Sequence, residues 1–223
     1  MRSGAKTIAV AVVLLAGAAC HGVRGGPHGA ENPRRFKDAA EWAARFEDPE
    51  RDTWQRPDHV VSLVGLTDGM KIADIGSATG YFPVRFARAC PTCRVYGVDI
   101  EPDMVRYLNE RVAKAGLSNV ESLVCDADDP KLPEPVDVIF LCNTYHHITD
   151  RVAYFARCKR LLRPGGRVVD VDFVKRALPI GPPPAHKLAA DVVIDELTRA
   201  GYRLVRRDET LPYQYILVFE AVD

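Results

Sequence analysis

The chain reads as an α/β protein built on one mostly parallel sheet, and three observations carry that reading. Strand-like apolar runs alternate with helical-period segments from "GMKIADIG" to "AHKLAADVVIDELTRAG", the pattern of a sheet with helices on both faces. The run "VDVIFLCN", residues 136 to 143, is almost continuously apolar, as in a strand buried on both sides. The stretch "KIADIGSATGYF", residues 71 to 82, passes from a strand through glycines into a helix, the usual approach to a nucleotide site in such sheets.

Taken in order, a first helix is expected over about residues 35 to 47, because Phe36, Ala39, Ala40, Ala43 and Phe46 share one face. "DPERDTWQRPDHVVSLVGL" turns and starts a second helix near Pro57, a residue suited to a first helical turn. "GMKIADIG" is the first strand, Thr79 to Ala89 the next helix, and "CPTC" closes it. "RVYGVDI" is the second strand. The helix "EPDMVRYLNERVAKAG" follows, with Val105, Leu108 and Val112 inward and Gly116 as its stop. "NVESLVCDA" and "VDVIFLCN" are strands three and four. Thr149 is placed to cap a helix running to Leu162, and "RPGGRVVDVDF" is a turn with the fifth strand. A further helix is expected to turn Leu188, Val192, Leu197 and Ala200 inward, and "YRLVRRDE" and "YQYILVFEA" close the chain as a hairpin.

The 223 residues, 47% hydrophobic, suffice for one such domain with a full core. Thirty basic and thirty acidic residues give zero net charge, so no overall basic field collects nucleic acid, and none is expected as a partner. Domain 34–223 is preceded by two segments of different character. Arg2 and Lys6 lead into an apolar run from Ile8 to Ala19, the make-up of a secretory signal over residues 1–20, short of the roughly 20 residues of a membrane span. "LLAGAAC" also resembles a bacterial lipoprotein signal, which would lipidate Cys20 and tether the chain to a membrane. Gly17 departs from the aliphatic usual there, and cleavage beside Ala18 or Ala19 is the alternative. Both imply export; a cytoplasmic chain with a non-functional leader is the third reading. Residues 21–33, "HGVRGGPHGAENP", hold four glycines and two prolines and read as a flexible tether.

Ligands of open parallel sheets bind beyond the carboxyl ends of the strands, which singles out Asp74 to Gly80, Asp99, Asp126, Asn143 to His147 and Asp172 to Phe173. A dinucleotide fingerprint from Gly76 would need glycine at 78 and 81, where Ala78 and Tyr81 stand, and no G-K-[ST] ends the loop. An NAD-dependent oxidoreductase fails on that spacing. What remains, Asp74-x-Gly76-x-x-x-Gly80, suits a ligand with an amine for Asp74 and a carboxylate for the helix N-terminus. Asp99, 19 residues after Gly80, stands at ribose-binding distance along the chain, and Asp126 at the end of strand three faces an exocyclic amine. Amine, carboxylate, ribose and adenine together describe S-adenosylmethionine.

At these residues the sequence resembles a known family. "ADIGSATGYF", "VYGVDIEPDM", "CDADDPKLP", "VDVIFLCNTYHHI" and "RLLRPGGRVV" look like the successive motifs of class I S-adenosylmethionine-dependent methyltransferases, over about residues 40 to 221. "DPERDTWQRP" and "LPYQYILVF" look like one bacterial subgroup of it. The resemblance implies a Rossmann-like seven-stranded sheet whose last strand is antiparallel. It implies cofactor contacts at Asp74, Gly76, Ser77 and Gly80, at Asp99 and Ile100, at Asp126 and Ala127, and at Asn143 near the transferred methyl. Ala78 replaces a frequent glycine; the turn is expected not to need a positive φ there.

On the acceptor side, "NTYHH" puts His146 and His147 after strand four. Histidine accepts protons near neutral pH, so both are candidate catalytic residues, His147 preferred, with loop packing as the competing role. Tyr145, Tyr81 and Phe82 either line an acceptor pocket or pack the core. "GPPPAHKL" brings His186 and Lys187 near strand five as a lid or a rigid connection, and Gln55 and Arg56 are placed to close over the cofactor, with Trp54 as a packing anchor. Of the six cysteines, Cys90 and Cys93 are spaced for a small disulfide in an exported chain, Cys125 and Cys142 belong to strands, and no metal cluster is expected. The leading expectation is methyl transfer to a small molecule; a noncatalytic exported binding module on the same fold is the alternative.

Overall fold

The computed structural model describes residues 38–222, so Phe36, the leader and the tether lie outside the described residues. Three short helices come first: α1 (Ala39–Phe46), α2 (Glu50–Gln55) and α3 (Pro57–Val64). Then follow β1 (Lys71–Ile75), α4 (Tyr81–Ala89), β2 (Arg94–Asp99), α5 (Pro102–Lys114), β3 (Val120–Val124), β4 (Val136–Cys142), α6 (Arg151–Cys158), β5 (Leu162–Phe173), α7 (Ala190–Arg199), β6 (Tyr202–Asp208) and β7 (Gln214–Ala221). The strands form one sheet in the order β3-β2-β1-β4-β5-β7-β6. Pairs within β3-β2-β1-β4-β5 are parallel; β7 runs antiparallel to both β5 and β6. The expected seven-stranded, mostly parallel architecture with a terminal antiparallel hairpin is the one found.

Alternation along the strands divides the core into two layers. Ala73, Ile75, Ile139, Leu141 and Val168 pack against Phe155 of α6 and Val193 and Leu197 of α7. Ile72, Val138, Phe140, Val169 and Val171 pack against Val60 and Val64 of α3, Phe82 and Phe86 of α4, and Leu108 and Val112 of α5. Phe82 and Tyr145 are thereby core residues rather than pocket lining: Phe82 contacts Phe140 at 4.8 Å and Tyr145 stacks on Phe155 at 5.2 Å.

Several local expectations are corrected. The segment before Pro57 coils into α2 instead of merely turning. α4 starts at Tyr81, because Gly80 takes φ +90° as its N-cap. The N-cap of α6 is Asp150, not Thr149. In α7 it is Val193, fully buried, that faces the sheet, while Val192 is 40% exposed. Leu197 and Ala200 are buried as expected, and Val193, four residues before Leu197, completes their face in place of Val192. Ala40 is exposed, since only Ala39 and Ala43 of α1 reach the core.

Candidate functional site

The C-terminal ends of β1 and β2 form a tight turn pair. After β1, the amides of Gly76 and Ser77 both donate to the Val98 carbonyl of β2, at 2.8 and 3.1 Å. Gly76 has φ +74°, and a Cβ there would collide with Thr144; Gly80 would collide with Leu108. Both positions therefore demand glycine on two counts. Ala78 also has a positive φ, +46°, which corrects the expectation of an ordinary φ: the turn keeps its left-handed residue, and alanine carries the strain of about 1–2 kcal/mol. Gly97 of β2 belongs to the same arrangement, since a Cβ on it would press on the Ser77 side chain.

The strand-end acids line this turn. Asp99 accepts from the amides of Ala78 (2.9 Å) and Glu101 (3.0 Å), so it ties the two loops together. Burial raises the Asp99 carboxyl above its usual range, with the Glu101 and Ala78 amides opposing. Asp74 is buried; desolvation and the Asp99 charge push it well above the carboxylate range, against the pull of Arg51. Ser77 Oγ is buried with no hydrogen-bond partner. Two desolvated carboxyls and an orphaned hydroxyl around a glycine turn are what an amine-, ribose- and carboxylate-bearing ligand would satisfy, so the residues present fit S-adenosylmethionine. Ile100 is 43% exposed and offers an apolar surface beyond β2. Asp126 and Ala127 are exposed after β3, and Asp126 pairs with Lys131 at 2.6 Å. A hollow of about 420 Å³ lined by Glu101, Pro102 and Asp103 adjoins this edge.

Helices α1 and α2 form a strap beside the turn. Glu47 bonds Thr79 Oγ1 at 2.7 Å and Arg111 of α5, and the Ala39 amide donates to Asp103 at 2.7 Å. Arg51 was not singled out by the sequence. Its guanidinium lies 3.7 Å over the Tyr81 ring, donates to Phe46 O at 2.7 Å, and approaches Cys142 Sγ at 3.8 Å. Arg85 covers the same ring, also at 3.7 Å, and Tyr81 bonds Asp52. Tyr81 is thus a platform between α2 and α4. The only hint in sequence was the position of Arg51 inside the family-like segment.

The other half of the rim is the end of β4, β5 and the start of β7. Asn143 takes φ +57°, continues the ladder by donating to Val171 O at 2.8 Å, and accepts from Gln214 Nε2 at 2.7 Å. Gln214 Oε1 accepts from Gln55 at 2.8 Å, and Gln55 also reaches Cys142 Sγ at 3.0 Å. Gln55 and Gln214 are fully buried, so a chain of amides joins the strap to the residue after β4; Arg56, next to it, is exposed. Burial pushes the Cys142 thiol up to about 12, so it stays protonated. His146 Nδ1 lies 2.7 Å from Asp172 Oδ2, and Asp172, fully buried, accepts the Phe173 amide at 2.7 Å through its other oxygen. His147 is exposed, with its ring 4.2 Å from that of His146. The buried carboxylate partner belongs to His146.

Cys90 and Cys93 form a disulfide at the end of α4. Cys125 is buried just past β3, and Cys158 is buried in α6. No group of side chains suited to a metal occurs among the described residues.

Comparison with known proteins agrees with this geometry. Residues 72–166 match the family model described as a methyltransferase domain. Over 119 residues the chain is 33% identical to the ubiquinone/menaquinone biosynthesis C-methyltransferase UbiE of Burkholderia cenocepacia, covering 52% of this chain and 48% of the relative. The chain thus spans about half the length of the curated relatives it matches. A S-adenosylmethionine-dependent methyltransferase from Aquifex aeolicus superposes with a TM-score of 0.76 at 29% identity, over 83% of this chain and 99% of that one. The magnesium protoporphyrin IX methyltransferase of Synechocystis, solved with bound S-adenosylmethionine, shares the fold at 19% identity, TM-score 0.60, over 78% and 82%. In fold, glycine turn and matched residues the chain is similar to the S-adenosylmethionine-dependent methyltransferases, and the match to the methyltransferase-domain model covers residues 72–166.

Proposed function

We propose that this chain transfers the methyl group of S-adenosylmethionine to a small-molecule acceptor, and that His146, held by Asp172, meets the acceptor's proton. The observation that carries the reading is the pair of desolvated strand-end acids, Asp74 and Asp99, around the Gly76 turn. When bound, the cofactor supplies a methyl group made electrophilic by its sulfonium. Asp99 would face the ribose, Asp74 the amino group, and Arg51 with the first turn of α4 the carboxylate. Ile100, Asp126 and Ala127 would border the adenine, and Asn143 the sulfonium end. Alignment of methyl and acceptor supplies much of the rate in such a transfer, with proton removal adding to it. The UbiE relatives, named for C-methylation in quinone biosynthesis, support a small organic acceptor.

The apolar run before Cys20 supports export, with a lipid tether at Cys20 as the further possibility to test, and the Cys90–Cys93 pair fits an oxidising compartment. Fractionation of tagged full-length chain, with a Cys20→Ala control, tests it; soluble cytoplasmic protein in both would reject export. The central experiment is calorimetric titration with S-adenosylmethionine and S-adenosylhomocysteine. Micromolar binding that Asp99→Ala removes is the expected result. A folded domain that binds neither would leave the noncatalytic binding module on the same fold.

A further inference from the structure

We propose that the acceptor is an aromatic compound with an acidic hydroxyl, a phenol in class, and that Lys187 holds the oxygen of its ionised form. This rests on the methyltransferase reading above and names the acceptor for it.

The loop 174–189 joins β5 to α7, and Lys187 is its one buried residue, at 1% exposure. Its ammonium donates to the Arg176 carbonyl at 2.9 Å and sits 5.4 Å over the Phe173 ring. An ammonium has three donors, and the carbonyl takes one. Burying a cation with so little compensation costs stability unless something else meets it; burial accordingly pulls Lys187 below the usual lysine range, with Asp172 opposing and Arg176 adding to the effect.

The ring beneath Lys187 belongs to an aromatic trio. Trp54 of α2 lies 5.7 Å from Phe173 and 6.3 Å from Tyr213. Phe173 is buried, while Trp54 and Tyr213 are half-exposed and offer ring faces at the surface. Gly181 takes φ +83°, and a Cβ on it would press on the same Phe173 ring, so the loop rests on Phe173. At the same strand end stands the His146–Asp172 pair.

The charges fit a phenol. Transfer of the hydroxyl proton to His146 adds one positive charge to the imidazole ring and one negative charge to the acceptor, so the net charge at the strand end is unchanged by the transfer. The resulting phenolate would meet the two Lys187 donors that the Arg176 carbonyl leaves, and its ring the exposed faces of Trp54 and Tyr213. Its electron pair then forms the bond to the methyl carbon while the carbon–sulfur bond breaks toward sulfur, giving a thioether, a methylated acceptor and protonated His146. The competing role for Lys187 is a loop latch and counter-charge for Asp172 only.

The two are separated with 4-nitrophenol, whose phenolate absorbs in the visible. Full chain is first saturated with S-adenosylhomocysteine, verified by calorimetry, and the probe's ionisation is then read against pH. The expected result is a bound probe whose ionisation equilibrium is favoured about tenfold or more over the free probe. Lys187→Met should abolish that gain and Lys187→Arg retain most of it, with circular dichroism confirming the fold. A bound probe that ionises as in water, in the unsubstituted protein alone, overturns the assignment, as does a probe that does not bind. Failure of the calorimetric step instead overturns the methyltransferase reading and this inference with it.

Discussion

The two halves of the sheet's C-terminal rim are built in different ways. Around β1 and β2 most groups are backbone turns and strand-end acids: Ala78 meets Asp99 across 21 positions, and the strap adds Glu47 to Thr79 across 32. Around β4, β5 and β7 they come from distant segments: Gln55 meets Cys142 across 87 positions and Gln214 across 159. The electrostatics differ as well: Asp74 is buried and raised by desolvation and the Asp99 charge, Asp99 holds two backbone amides that tie its loops together, and Asp172 holds the His146 ring and the Phe173 amide. The first half is a glycine turn built mainly by local geometry. The second is a network that exists only once the strap, the loop after β4 and the terminal hairpin have met.

The comparison breaks most visibly at His146. His146→Ala is expected to lower kcat by about 10²–10⁴ with cofactor affinity unchanged, and Asp172→Asn to follow it. His147→Ala should do much less, in steady-state assays with a phenolic acceptor. Equal losses for the two histidines would remove the distinction drawn from Asp172.

In the cofactor half, Asp99→Ala should weaken S-adenosylmethionine binding about 100-fold, since charged hydrogen bonds contribute roughly 1.5–3 kcal/mol each. Calorimetry reads this directly, and an unchanged Kd would detach Asp99 from the ligand.

Asp170 sharpens the contrast from beneath. It is fully buried in β5, both oxygens lack hydrogen-bond partners, and desolvation and the Asp172 charge push it well above the carboxylate range. An acid raised in the folded state contributes stability below its unfolded pKa of about 3.9, lost as pH rises toward the folded value. Urea unfolding should show Asp170→Asn gaining on the unsubstituted protein between pH 4 and 8. A difference that stays flat across that window would contradict this.

The smallest effect concerns Ala78. Ala78→Gly should stabilise the fold by about 1 kcal/mol, because it relieves a left-handed alanine at φ +46°, partly offset by the entropy of the unfolded glycine. Thermal denaturation in the same buffer measures it; a lower Tm would mean the turn holds alanine without strain.

The sheet, its order of elements and the glycine turn after β1 were legible because each depends on short-range pattern. "VDVIFLC" had to be a buried strand, Gly76 and Gly80 had to turn, and Asp99 had to close a strand. Val192 stands in for Val193 in the sequence pattern because adjacent valines look alike there, although only Val193 stands four residues before the buried Leu197. The pairing of His146 with Asp172, the burial of Lys187 under its loop and the Gln55–Gln214 bridge were decided by tertiary structure alone. Residue type and spacing specify which backbone a segment adopts. Which distant side chain fills the remaining hydrogen bond is fixed only when strand order brings the two ends together and water is excluded between them.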